Sequence, residues 1–306
     1  MTKFKIGYAL GGGGARGFAN IGVIKILEEN GFFPDIIVGT SMGAIVGALY
    51  SIEGSIDKVH TRMRKVLLSD EFDNLKTDTL IRRDEKNIGS SAKKPLKEKI
   101  VDFVWKKYLY RVGNKRLSLL GKKELEDIIN LLVPDINIED MPIKYAAAVT
   151  NLKTGEPELL SKGSLRTAIV ASSAIPGVFP PVYIGDNLYA DGGVLSSVPV
   201  PEAVEMGANY VIGVDVRSTR HQIAVLNNAY EVLARSNYIA TYKLNSMRLE
   251  GADSIIAPDV HSIHWANFKK IDFVEEKGRE AAQASIQKIT ASIKRKKLKS
   301  LISRIF

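Results

Sequence analysis

The sequence predicts an α/β fold built on a parallel sheet, and three observations carry that prediction. Two short apolar runs, "KIGYAL" (5–10) and "DIIVG" (35–39), are each followed by a glycine-containing turn and then by a segment with helical spacing. Strand, loop, helix, strand, turn, helix is the opening of a parallel α/β sheet. After a charged middle section, strand-like runs resume at 144–152, 157–161, 209–216 and 253–260.

Each element has its own reason. "KIGYAL" carries no charge after Lys5 and reads as a buried strand, and Gly11 to Gly14 follow as a loop. "FANIGVIKILEENG" (18–31) reads as a helix, with Ile21, Ile24 and Leu27 on one face and Gly31 at its stop. "DIIVG" is a short buried strand, and "MGAIVGALYSIEG" (42–54) the next helix. Residues 56–133 hold helical patterns and many charges. Within them, "IRRDEKNIGSSAKKP" (81–95) reads as a loop and "LKEKIVDFVWKKYLYRV" (96–112) as a basic helix. "PVYIGDNLYADGG" (181–193) reads as a hairpin turning at Gly185-Asp186-Asn187. The expected organisation is one domain over 1–290 with a helical insertion at 56–133, then a basic amphipathic tail at 291–306.

The 306 residues are 45% hydrophobic and 25% charged, as in an ordinary globular chain. Cysteine is absent, which excludes disulfides, thiolate metal sites and cysteine nucleophiles. The net charge of +9 is concentrated at 93–123 and 294–304. Such patches face nucleic acid or anionic lipid. No nucleic-acid motif accompanies them, so nucleic acid is not expected as a partner. The start, "MTKFKIGYALGGGG", has no long apolar core or cleavage pattern. The longest uncharged stretch, 167–185, contains Pro176, Gly177, Pro180 and Pro181 and is unsuited to a spanning helix. The expectation is a cytoplasmic chain, peripheral on the inner face of the cell membrane. In the tail, Leu298, Leu301, Ile302, Ile305 and Phe306 follow helical spacing among Lys and Arg, the pattern of a helix lying on an anionic lipid surface.

"GGGGARG" (11–17) permits three readings. Gly12, Gly14 and Gly17 match a dinucleotide fingerprint, but the second strand ends in Gly39-Thr40-Ser41, without the acidic residue that would hold a ribose. A phosphate-binding P-loop lacks its Gly-Lys-Ser/Thr. The third reading is an oxyanion hole, in which glycines present successive N–H groups at the start of a helix.

Gly39-Thr40-Ser41-Met42-Gly43 fits G-x-S-x-G, which places a serine on a strained strand-to-helix turn. The N–H of Met42 would then join the oxyanion hole. Serine needs a base. His60 lies in a charged helix and His221 in a polar loop, while His261 and His264 form H-x-x-H without a third metal ligand. A Ser41, Asp191 or Asp215, then His261 or His264 order is one arrangement. Asp191 in "YADGG" (189–193), ending an apolar strand, is a second candidate as direct base. On the residues alone both stay open.

"GGGGARG", "GTSMG" and "DGG", in this order, resemble the bacterial branch of the patatin-like phospholipase family, over about residues 4–50 and 144–217. "ASSAIPGVFPPV" (171–182) resembles the family's proline-rich block. The resemblance implies a three-layer α/β/α sandwich with a mainly parallel central sheet, with 56–133 as a helical lid. It implies a Ser-Asp dyad of Ser41 as nucleophile and Asp191 as base, without histidine. Gly12, Gly13 and Gly14 match the oxyanion glycines, with Arg16 the adjoining basic position. Gly39, Gly43 and Gly192 support the two turns. Hydrolysis of phospholipid or lysophospholipid acyl esters through an acyl-enzyme is implied, with no metal or cofactor. Where many relatives carry an Asn pair before Val-Pro, this chain has Ser196-Ser197. The alternatives are a serine acyltransferase or small-ester esterase, and a non-catalytic lipid-binding regulator.

Overall fold

The structure, a computed structural model, describes residues 4–73, 117–217, 226 and 228–302. An eight-stranded sheet of β1 (Ile6–Leu10), β2 (Ile36–Gly39), β3 (Lys144–Asn151), β4 (Pro157–Leu160), β5 (Val182–Ile184), β6 (Asn187–Asp191), β7 (Tyr210–Val214) and β8 (Ser254–Ile256) forms its centre. The order is β5-β6-β3-β2-β1-β7-β8, with β4 also on β3. β3, β2, β1, β7 and β8 run parallel, while β4, β5 and β6 pair antiparallel. The helices are α1 (Ala19–Glu29), α2 (Met42–Glu53), α3 (Ile56–Leu67), α4 (Asp70–Asp73), α5 (Lys122–Leu132), α6 (Leu165–Ser172), α7 (Val200–Glu205), α8 (Ala229–Leu249) and α9 (Ile271–Ile302).

Period-two alternation sends successive strand residues to opposite faces. Tyr8, Leu10, Ile37, Tyr145 and Ala147 join a large core with α1, α2, α6 and α9. Ala9, Ile36, Val38, Ala146, Ala148 and Val211 join a smaller one with Val200 and Ala203 of α7 and Leu249 of α8. Both faces are therefore covered, which is why the parallel strands read as unbroken apolar runs. This is the expected α/β/α sandwich.

β3 changes partner along its length. Val149 pairs with both Glu158 of β4 and Asp191 of β6, so these strands lie on opposite edges of β3. Ala147 pairs with both Gly39 of β2 and Leu160 of β4, so β2 also lies opposite β4. One edge of β3 thus carries β2 as far as Ala147 and β6 from Val149 onward. The C-terminal end of β2 and the C-terminal end of β6 meet there.

The region expected as an insertion is continuous with the body at both ends. Ile56, Val59, Met63 and Leu67 of α3, and Leu125, Ile129 and Leu132 of α5, are buried in the large core. The expected loop at 81–95 and helix at 96–112, His221, and 303–306 lie outside the described residues, as does most of the basic stretch 93–123.

α8 and the first two-thirds of α9 have no counterpart in the sequence reading. α9 buries Ile271, Val274, Ala282, Ile286, Ile289 and Ile293, a helical period that runs past residue 291. The expected tail boundary therefore falls inside one continuous helix. Beyond it, Lys296 Nζ sits 2.5 Å from Asp253 Oδ1 and lies over the Tyr210 ring, and Lys297 lies over Phe4. Lys294, Arg295, Leu298 and Lys299 face solvent. No helix among the described residues is long and apolar enough to cross a membrane.

α9 crosses α1 closely because both helices place a glycine at the crossing. A Cβ on Gly22 would lie 1.9 Å from the Glu275 carbonyl oxygen, and one on Gly278 would lie 2.1 Å from that of Ala19. Gly22→Ala is expected to push the helices apart and to lower stability by about 1–3 kcal/mol. A urea unfolding midpoint that falls with unchanged slope would show it; an unchanged midpoint would contradict the crossing.

Candidate active site

β2 ends at Gly39, and the chain turns through Thr40 and Ser41 into α2. Ser41 has φ 53° and ψ −121°, making it the only non-glycine residue with positive φ among those described. A bulky L-residue held there stores strain on the order of 1–3 kcal/mol. Neighbouring bonds over-determine the turn. The Ser41 N–H donates to Ser172 Oγ at 3.0 Å, and that hydroxyl donates to Ala148 O at 2.7 Å. Thr40 Oγ1 donates to Ser196 O at 2.8 Å. The flanking glycines are required by proximity: a Cβ on Gly39 would lie 2.4 Å from Gly43 O, and one on Gly43 2.2 Å from Leu10 O.

The glycine loop begins one strand over, where Gly11 N–H donates to Val214 O of β7 at 3.0 Å. Residues Gly14–Phe18 form a 3₁₀ turn that feeds α1. Gly14 adopts φ 57° against the Trp265 carbonyl. The loop touches the serine turn directly. A Cβ on Gly12 would lie 3.0 Å from Ser41 Cβ, and one on Gly17 2.5 Å from Met42 Cβ. Among the described residues, no protein acceptor takes the N–H of Gly13, Gly14 or Met42. The N–H of Gly12, by contrast, donates to Ser197 O at 3.0 Å and holds the loop. Arg16 is half-buried and donates through Nε to Gly13 O at 3.4 Å. Burial lowers the pKa of its guanidinium.

Asp191 closes β6 directly opposite Val149. Gly39 pairs with Ala147, and the chain reaches Ser41 two residues further on. The hand-over on β3 therefore brings Asp191 and Ser41 together. Asp191 is buried and its carboxyl is pushed up to about 6, chiefly by loss of water. Hydrogen bonds from the Gly193 N–H, at 2.7 Å, and from the Ser41 side chain pull it back down. Gly192 is in van der Waals collision range of Ala148 O, where a Cβ would lie at 2.4 Å.

Ser196 and Ser197 both have partners. Ser196 Oγ donates to Glu202 Oε2 at 2.9 Å, and Glu202 is paired with Arg248 Nη2 at 2.5 Å. Ser197 Oγ donates to Gly193 O at 3.0 Å, and its N–H donates to Asn245 Oδ1. Asn20 braces the glycine loop, donating to Gly11 O and Gly17 O. Ser172, Asn20 and Asn245 were not singled out from sequence. "ASSAIPG" held Ser172 in view, but nothing local marks which of its serines turns inward.

The histidine arrangement finds less support. Asp215 is held by both Nε and Nη2 of Arg217 at 2.8 Å, leaving it engaged. His264 Nδ1 accepts from Ala266 N–H, His261 faces Asp259, and His60 is paired with Glu275 at 2.5 Å.

A family model described as patatin-like phospholipase matches residues 8–204. A lysophospholipase NTE1 of Kluyveromyces lactis is 31% identical over 237 residues, which cover 76% of this chain and 14% of that protein. An uncharacterized NTE family protein of Mycobacterium tuberculosis is 27% identical over 307 residues, covering 92% of this chain and 46% of that protein. The chain thus spans less than half the length of these relatives. Among solved structures, VipD from Legionella pneumophila aligns with a TM-score of 0.48 at 17% identity, over 94% of this chain and 67% of VipD.

The buried carboxyl opposes folding at neutral pH. A carboxyl raised from 3.8 to about 6 binds its proton more tightly in the folded state. Stability therefore falls as pH rises between those values and stays lower above them. Asp191→Asn removes this cost and is expected to stabilise the protein by up to about 3 kcal/mol above pH 6. The gain should vanish by about pH 3, below the unfolded value, as followed by denaturant unfolding at both pH values. A gain independent of pH would contradict it.

Proposed function

We propose, from the fact that the chain belongs to the patatin-like phospholipase family, that it hydrolyses carboxylic esters of phospholipid or lysophospholipid through Ser41 and Asp191. The observation that carries the reading is a buried carboxyl, raised by loss of water and lowered again by the Ser41 side chain, beside a serine held at positive φ. Its raised pKa makes Asp191 a better base than an exposed aspartate.

In this mechanism Ser41 Oγ attacks the ester carbonyl as its proton passes to Asp191. The carbonyl oxygen becomes negative and meets the N–H groups of Gly13, Gly14 and Met42. Each such donor lowers the barrier by about 3–4 kcal/mol in comparable sites. The start of the helical turn at Gly14 adds positive potential there. The tetrahedral intermediate collapses, the C–O bond breaks, and Asp191 returns the proton to the departing alcohol. Water then attacks the acyl-serine, losing a proton to Asp191, and Ser41 leaves with that proton as the fatty acid is released.

Ser41→Ala and Asp191→Asn are each expected to lose at least about 10³-fold in kcat while remaining folded. A fluorophosphonate should add once to the wild type and not to Ser41→Ala, read by intact mass. The base must be ionised, so kcat/KM should fall about tenfold per pH unit below about 6 and level off above it. Near-full activity in Asp191→Asn would remove the dyad, and the histidine-dependent esterase or acyltransferase would take its place.

The substrate is reached at an anionic membrane surface through the exposed part of 291–302. Lys294, Arg295 and Lys299 supply charge, and Leu298 and Ile302 supply apolar contact. Replacing those three residues by Gln spares the Lys296–Asp253 pair. Binding to phosphatidylglycerol vesicles should weaken by about 3 kcal/mol, roughly 100-fold. Hydrolysis of a soluble short-chain ester should be unchanged; a matching loss of both would make the stretch purely structural.

A further inference from the structure

We infer that Asn245 of α8 is a positioning residue that holds the base turn and the glycine loop in register. This rests on the reading of Asp191 as base and extends it to a residue more than fifty positions away in sequence.

The geometry is a single chain of hydrogen bonds. Gly12 N–H donates to Ser197 O at 3.0 Å. Ser197 N–H donates to Asn245 Oδ1, and Asn245 Nδ2 donates to Gly193 O at 3.3 Å. Gly193 N–H donates to Asp191 Oδ1 at 2.7 Å. Beside the direct Ser197 Oγ–Gly193 O bond at 3.0 Å, the Asn245 amide joins the loop that faces the oxyanion to the turn that aims the carboxylate. The planar amide of Asn carries both an acceptor and a donor, and Asn245 uses both. Its donor also reaches Thr241 O at 2.9 Å, which ties the amide to its own helix.

The surroundings exclude a casual surface contact. Asn245 is 4% exposed, although most of α8 on its N-terminal side is exposed. Three residues on, Arg248 reaches Glu202, which receives the Ser196 hydroxyl. The same helix end thus holds both Ser196, through Glu202, and Ser197.

Substrate binding needs only the cleft, whereas proton transfer needs the carboxylate in place. A small displacement of a reacting group costs roughly 10- to 100-fold in rate. Asn245→Ala should therefore lower kcat and the rate of fluorophosphonate addition by about that factor, with KM for a soluble ester within about twofold. Burial raises the Asp191 pKa and the Gly193 N–H lowers it, so a loosened turn should also shift the acidic limb of the pH profile. Asn245→Asp keeps size and acceptor but cannot donate to Gly193 O; it tests the same bond if the alanine variant fails to fold. Leu233→Ala, on an exposed turn of α8, serves as the helix control and should leave all three readouts unchanged.

Rates within twofold of wild type with an unmoved acidic limb in both Asn245 variants would overturn the inference. So would a loss that disappears at low temperature in step with a lowered Tm. If Asp191→Asn instead retained activity, the base assignment would fall first, whatever Asn245 did.

Discussion

The change of partner along β3 is the constraint on which the site depends. A parallel strand ends where an antiparallel one takes over the same edge, and the two ends meet at Ala148. Backbone pairing fixes this junction before any side chain is chosen. Ser41 and Asp191 inherit their closeness from sheet register, which is stiffer than any loop contact. Ala148 is at the hinge of the exchange. Its carbonyl accepts from Ser172, which in turn receives the Ser41 N–H, and Gly192 packs against the same carbonyl.

Two unfavourable features sit at this junction: a serine in a left-handed conformation and an aspartate without water. Neither would persist in an isolated turn. They are tolerated because the sheet is covered on both faces and the turns are bonded on every side. Strain and burial of charge are located where the proposed chemistry uses them. The Ser41 N–H and the Thr40 hydroxyl are both bonded, so the strain and the buried carboxyl are held by their surroundings.

Much of this was legible in the sequence, for a specific reason. Gly39, Ser41, Gly43, Asp191 and Gly192 belong to short turns whose requirements are local, so residue type and order reveal them. The strands were legible because parallel strands buried on both faces read as apolar runs. The bond made by the Gly12 N–H was not legible, since its acceptor, Ser197, lies far along the chain. Asn245 was hidden for the same reason and looks like any polar residue on a solvated helix. The tail boundary at 291 followed the onset of basic residues, but the apolar period of α9 continues through Ile293 and decides the structure. A change in composition on the exposed face does not end a helix.

The parts of the site are drawn from almost the whole length of the polypeptide. Gly11 needs Val214, Gly14 rests on Trp265, Ser197 needs Asn245, and α1 lies against α9. β1 is flanked in the sheet by β2 and by β7, which is made some two hundred residues later. Such long-range pairing is slow to form. During synthesis, a chain that has not yet reached α9 has the serine but not the surroundings that hold it. The turn and the glycine loop gain their partners only after Asn245 and Trp265 have emerged.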